Sequence, residues 1–445
     1  MQNEINFRYL ILLAAAAALG GVLFGFDIAI ITGAGPFLLE HFGLSDLGLG
    51  WAFSSLLFGC VLGSLGAGRF ADRYGRRRIL AWVAVLFALT SVATAVAPTF
   101  PLFVAARFAG GLAVGAASLL SPMYVSEVSP PSVRGRMGAL YQLSIILGIL
   151  ISYAINYLLR NSGVDNWRWM FATGVFPSTV FFLLMLAAPE TPRFLMMKGR
   201  KEEAFMLLER ISGRQSAGFA IDEMQAAVHQ GGGWQALKRP GVKRALRVSF
   251  FLAILIHVSG INTIVDYAPA IFRSAGWKID GALLSTFLVG VTEFLFTVAS
   301  FWMIDRFGRK PLYVIGSIGM SASLVVLMVM VATDRFHGPA VLVVILTYLA
   351  FFSSCIGPVF WTLLPEIFPT DVRGLAMTVP VLTQWVANAL VVLLFPYAYH
   401  QIGKAVTFGF LATMALAQAV FTRFFVPETR NRPLEEIEQF WNAQA

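Results

Sequence analysis

Long apolar stretches alternate with short polar connections along almost the whole 445-residue chain. A helix crossing the hydrocarbon layer needs about 20 apolar residues. By that rule the pattern predicts twelve spans, at 8–32, 49–68, 79–97, 101–124, 137–159, 168–188, 245–272, 281–304, 311–332, 339–363, 374–397 and 404–426. Residues 190–243 break the pattern with Lys198, Arg200, Lys201, Glu202, Glu203, Glu209 and Arg210, and are themselves interrupted by Gly231, Gly232 and Gly233. They predict short amphipathic helices joining two groups of six spans. The expected organisation is a first six-helix half (1–189), a helical linker (190–243), a second six-helix half (244–426) and a tail (427–445).

Composition supports an all-α, polytopic membrane protein. The chain is 58% hydrophobic and only 13% charged, with a mean hydropathy of +0.73, whereas soluble domains carry about 25% charged residues. The net charge of +9 is not read as a nucleic-acid footprint, because the basic residues concentrate in short connections between spans. The densest is 68–78, with Arg69, Arg73, Arg76, Arg77 and Arg78. Arg134, Arg136, the linker, Arg306 to Lys310, Arg373, Arg430 and Arg432 fall on the same side by span count, while 33–48 on the other side has no Lys or Arg. The positive-inside rule then places the linker and both termini in the cytoplasm of a cell carrying this chain in its inner membrane. The N-terminal apolar run is too long for a signal peptide and continues through Gly25, Phe26 and Asp27.

The halves repeat. Glu127 and Glu366 lie 239 residues apart, as do Arg134 and Arg373; Pro189 and Pro427, each opening Pro-Glu-Thr, lie 238 apart; the hairpin aspartates Asp72 and Asp305 lie 233 apart. Two six-span halves repeated in parallel suit a transporter that rocks about a central site.

Taken in order, these motifs resemble the sugar porter family of the major facilitator superfamily. The first half contributes Gly25-Phe26-Asp27, Gly68 to Arg78, Arg107 with Gly110, Gly111 and Gly115, Pro122-Met123-Tyr124 with Glu127, Arg134-Gly135, Gln142, Trp167-Arg168-Trp169 and Pro189 to Phe194. The second half adds Gly260-Ile261-Asn262, Asp305 to Lys310, Gly357-Pro358 with Trp361, Pro365-Glu366 and Pro427-Glu428-Thr429. The resemblance implies the twelve-helix facilitator fold and uptake of a monosaccharide or polyol by proton symport through alternating access.

Asp27 and Arg107 are ionisable residues inside apolar runs. A charge there costs about 2.5–3.5 kcal/mol, so each is expected to face the bundle interior and find a partner. The resemblance makes them the proton-coupling pair, since proton-coupled members carry Asp in the first span where facilitative members tend to carry Asn. It also maps Gln142, Asn262, Tyr267, Trp361, Trp385 and Asn388 onto sugar contacts, with Phe24 and Phe352 as cavity lining. Amides suit hydroxyl groups because they both donate and accept. For the cytoplasmic gate it implies Arg69, Arg73, Arg77, Glu127, Arg134, Glu190 and Arg193 from one half, and Arg306, Arg309, Glu366, Arg373 and Glu428 from the other.

This chain departs from the family pattern in three places. Ile256 and His257 stand where the family has a Gln pair, Asp266 stands where it has the first of two Tyr, and Glu293 stands where it has Asn. Asp266 also lies 239 residues from Asp27. His257, Asp266 and Glu293 are counted with the substrate-binding set, and three roles stay open for them: binding a cationic or amino-bearing solute, carrying a further proton, or accepting bonds from the hydroxyls of a neutral sugar. Proton-independent uniport and a non-transporting sugar sensor are the remaining alternatives.

No nucleotide-binding loop and no His-Glu-x-x-His is present, and the five His and two Cys, Cys60 and Cys355, lack metal spacing. No cofactor, metal, nucleic-acid partner or enzymatic activity is expected. The fifth span lacks the Gly-Pro signature of drug-exporting relatives, which favours uptake.

Overall fold

The computed structural model describes residues 5–130, 133–228, 237–369, 372–430, 437 and 440–441. Gly231, Gly232, Gly233 and Arg432, with the side chains of Arg134, Arg136 and Asp305, lie outside the described residues. Among the described residues there is no strand, and twelve helices are long and apolar enough to cross a membrane. Spans 1 to 6 are Phe7–Phe42, Asp46–Tyr74, Arg76–Ala95, Phe100–Val128, Leu140–Leu159 and Asn166–Ala187. Spans 7 to 12 are Pro240–Asp266, Ile279–Ile304, Arg309–Ala332, Pro339–Ile367, Thr378–Ile402 and Lys404–Phe425. The fold class agrees with the sequence, but several helices outrun their apolar cores. Span 1 continues to Phe42, so the predicted connection 33–48 shrinks to the few residues before Asp46. Hydropathy misses this stretch because its helix is held by packing: Ala34 and Leu38 are fully buried although the segment carries Glu40 and His41.

Contacts divide the chain into two compact units, one of Met1–Ile28, Phe58–Ser152 and Arg168–Gly231, the other of Ala29–Leu57, Tyr153–Trp167 and Gly232–Ala445. In the first, small residues let helix backbones touch. A Cβ at Gly59 would stand 2.1 Å from the Phe108 carbonyl oxygen, and one at Gly115 would stand 2.3 Å from that of Cys60. Lipid tails offer no hydrophobic contrast between helices, so close backbone approach of this kind supplies the packing energy instead. The linker forms three helices, Pro192–Met197, Lys201–Ser212 and Arg214–Val228, closed around Leu195, Ala204, Leu208, Ala217 and Ile221. Their charged faces stay exposed, as the sequence pattern requires. The Asn6 amide donates to the Ile211 carbonyl at 2.8 Å, tying the foot of span 1 to the linker.

In the second unit span 7 is broken. Gly260 takes φ 96°, left-handed geometry that a glycine adopts at little cost, and the helix resumes as Ile261–Asp266 and then Ala268–Ser274. The break turns the polar residues on either side of it, His257 and Asn262, toward each other. Span 11 ends in a wide π turn, Ala398–Ile402.

Candidate functional site

Span 1 carries Asp27 and span 4 carries Arg107, both in the first unit. Arg107 Nη1 meets Asp27 Oδ1 at 2.6 Å, and Nη2 donates to the Asp27 carbonyl oxygen at 3.0 Å. Arg107 is 2% exposed and the Asp27 side chain 15%. The guanidinium also lies 5.3 Å from the Phe171 ring centroid. The accessible edge of this pair belongs to the carboxylate.

Phe24 and Gln142 lie in the same unit, both partly buried. The remaining predicted contacts belong to the second unit. His257 Nδ1 lies 3.0 Å from Asn262 Oδ1. A carbonyl oxygen only accepts, so Nδ1 carries the proton and Nε2 presents its lone pair. Gln384 flanks the same imidazole, and one turn further along span 11 is the buried Asn388. Asn388 Oδ1 and Glu293 Oε2 are buried atoms with no hydrogen-bond partner among the described residues. Glu293 is only 5% exposed. Trp361 is 41% exposed and its ring is free to meet a ligand face, whereas Trp385 is buried and Phe352 half-buried.

Tyr267 follows the second segment of the broken span 7 and is buried. Its hydroxyl donates to the Val392 carbonyl at 3.0 Å, and its ring stacks between Phe53 (4.5 Å) and Phe395 (5.2 Å). It sits at the end of the unit remote from Gly308. Asp266, next to it, borders a cavity of about 50 Å³ together with Thr32, Phe53 and Arg273. Asp266 is not a second copy of the Asp27–Arg107 pair: the part of span 10 that corresponds to Arg107, residues 340–346, has no basic residue.

The arginine hairpins are built alike in both halves. Gly75 (φ 101°) and Gly308 (φ 89°) turn the chain into spans 3 and 9. Glu190 then accepts the backbone N–H groups of Arg76 (3.0 Å) and Arg77 (3.1 Å), as Glu428 accepts those of Arg309 (3.1 Å) and Lys310 (3.0 Å). Each carboxylate therefore caps a helix N-terminus, where orphan N–H groups and the helix dipole favour an anion. Burial still pushes the Glu190 carboxyl above the usual carboxylate range. The following threonines close the motif: Thr191 donates to Glu127, and Thr429 donates to Glu366 at 2.6 Å. Arg309 pairs with Glu366 at 3.0 Å.

In the first half the residue on Glu127 is the buried Arg76, at 3.3 Å, which also pairs with Asp72 at 2.8 Å. Arg77 instead donates from Nε to the Met185 carbonyl at 2.9 Å. Sequence reading missed Arg76, Thr191 and Thr429. The signal existed, because Arg76 and Arg309 are separated by the same 233 residues as Asp72 and Asp305. Arg69, Arg73, Arg193 and Arg306 are exposed, and Arg306 lies over the Trp302 ring at 4.8 Å. Arg373 reaches the Phe368 carbonyl at 3.4 Å. The Arg134 side chain is outside the described residues.

Residues 13–441 match the pattern of a family described as sugar (and other) transporter. The chain is 37% identical over 445 positions to the arabinose-proton symporter of Bacillus subtilis (strain 168), covering 97% of this chain and 95% of that protein. It is 35% identical over 486 positions to the D-xylose-proton symporter of Escherichia coli (strain K12), covering 100% and 98%. The solved inward-open conformation of the xylose transporter XylE from E. coli matches with a TM-score of 0.86 at 34% identity, over 97% of this chain and 100% of that one. Twelve spans with a repeated hairpin motif and a match running nearly end to end place this chain in the sugar (and other) transporter family, with the major facilitator fold.

Proposed function

We propose that this chain imports a monosaccharide or polyol together with a proton, by alternating access, with both termini in the cytoplasm. The observation that carries the reading is the buried Asp27–Arg107 pair, set in a family that includes the proton symporters for arabinose and xylose named above. A carboxylate held by one mobile guanidinium is a proton switch: with Arg107 engaged it stays charged, and when Arg107 swings away the desolvated acid takes a proton. One proton moving down about 100 mV and one pH unit releases about 3.7 kcal/mol, enough to concentrate a neutral solute ~500-fold.

Gln142, Asn262, Tyr267, Trp361, Trp385 and Asn388 recognise the solute, with Phe24 and Phe352 lining the cavity, and His257, Asp266 and Glu293 add polar groups for its hydroxyls. Carboxylate–hydroxyl bonds are charge-assisted and strong. Tyr267 acts as a lid. The hairpin residues Arg69, Arg73, Arg77, Glu127, Arg134, Glu190 and Arg193, with Arg306, Arg309, Glu366, Arg373 and Glu428, form the cytoplasmic gate, and Arg76 joins them.

A second reading, uptake of an amino-bearing solute, is favoured by the buried Glu293, whose Oε2 has no hydrogen-bond partner among the described residues. Uptake into proteoliposomes of a panel of pentoses, hexoses, inositols and amino sugars, with and without an imposed proton gradient, separates the two. The main reading expects gradient-driven accumulation of a neutral sugar. Accumulation of amino sugars alone supports the second reading.

A further inference from the structure

At the end of the second unit remote from the hairpins, two polar contacts join residues far apart in sequence. His400 Nδ1 meets Asp46 Oδ1 at 2.7 Å, and Gln401 Nε2 donates to Asp46 Oδ2 at 3.0 Å. Arg160 Nε meets Asp280 Oδ1 at 2.6 Å. Asp46 opens span 2 and His400 closes span 11; Asp280 opens span 8 and Arg160 follows span 5. Spans 2 and 8 are repeat mates, and so are spans 5 and 11. The numbers agree: Asp46 and Asp280 lie 234 residues apart, and Arg160 and His400 lie 240 apart, against repeat offsets of 233 to 239 elsewhere. The two contacts are therefore one contact made twice, an acid at the start of the second span of one repeat and a base at the end of the fifth span of the other.

We propose that Asp46–His400 and Asp280–Arg160 form a paired latch on the periplasmic rim, holding the outer route closed; this rests on the alternating-access reading above. Both acids sit in the first turn of a helix, where the dipole favours their charge. Arg160 is pre-positioned by its own surroundings, with its guanidinium 3.9 Å from the Tyr157 ring centroid and its carbonyl accepting from Asn166 Nδ2 at 2.7 Å. Directly inside the rim the barrier is apolar: the Phe53–Tyr267–Phe395 stack, and Gly50 so close to span 11 that a Cβ there would lie 2.1 Å from the Leu393 carbonyl oxygen. The apolar layer excludes water, and the polar rim sets how readily it parts. Neither layer uses the hairpins at the opposite end, so the rim tunes the conformational balance by itself.

The test is accessibility from outside. In a background with Cys60 and Cys355 replaced by Ala, a reporter Leu49→Cys sits behind the latch, on the wall of the small cavity. A membrane-impermeant maleimide is applied to intact cells. A half-exposed ion pair changes an equilibrium by roughly two- to fivefold, so Arg160→Gln and His400→Gln should each raise the labelling rate about threefold and together about tenfold. The exchanged pair Arg160→Asp with Asp280→Arg should label at the parent rate and confirms that the double variant acts through charge pairing and not through misfolding. Unchanged labelling in the double variant overturns the proposal. So does an exchanged pair that labels as fast as the broken one. The readout needs no substrate, so a wrong assignment of the transported solute leaves it intact.

Discussion

Arg107 grips Asp27 at two points, through the side-chain oxygen at 2.6 Å and through the main-chain carbonyl at 3.0 Å. The second bond does not depend on what side chain residue 27 carries. Asp27→Asn should therefore keep Arg107 in place and leave the protein folded and able to exchange sugar across the membrane, while gradient-driven accumulation falls to equilibrium. Arg107→Ala removes both bonds and strands a buried carboxylate, a change that typically costs about 3–5 kcal/mol. Paired counterflow and accumulation assays on the two variants check this; counterflow lost in Asp27→Asn contradicts it.

The twin caps predict matched effects. Glu190→Gln and Glu428→Gln each leave an acceptor but remove the charge at the start of a span, and each should lower stability by about 1 kcal/mol. Thermal unfolding of the purified protein in detergent measures both. A large loss at one site with none at the other contradicts the equivalence of the two hairpins.

Helix contact in the first unit predicts a sharp contrast between neighbouring glycines. Gly59→Ala drives a methyl to 2.1 Å from a backbone carbonyl that cannot step aside, whereas the nearest atom to a Cβ at Gly66 is a Phe70 ring carbon at 3.4 Å. The first substitution should cost about 1–3 kcal/mol. The second should stay near neutral, since Ala is the better helix former by ~1 kcal/mol. The monodisperse fraction after heating reads both.

Glu293 Oε2 is buried with no hydrogen-bond partner among the described residues. Glu293→Asn shortens the side chain and exchanges a carboxyl for an amide, and should weaken sugar binding about tenfold, the weight of one hydrogen bond. Binding measured by calorimetry tests this. Equal affinity in the variant removes Glu293 from the recognition set, and a switch of preference away from amino sugars favours the second reading.

Much of this was written in the chain. A bilayer demands about 20 apolar residues per crossing, so the twelve spans stand out, and the repeat offsets pair the hairpins before any coordinates exist. What escaped depends on rotation and on distance. On a helix, neighbouring residues point about 100° apart, so a run of Arg76, Arg77 and Arg78 does not say which one turns to Glu127; the offset to Arg309 does. The Tyr267 hydroxyl donates to the Val392 carbonyl 125 residues away, a contact no local pattern encodes. Asp46 and His400 are 354 residues apart, and only folding brings them within 2.7 Å.

In this mechanism a proton crosses with a neutral sugar by way of Asp27. Charge movement in proteoliposomes tests it most directly, recorded as neutral pentoses, hexoses and inositols are added at a fixed proton gradient to wild type and to Asp27→Asn. An inward current should be evoked by at least one neutral sugar in the wild type and abolished in Asp27→Asn, although that variant still exchanges the sugar. A current of wild-type size in Asp27→Asn would contradict it.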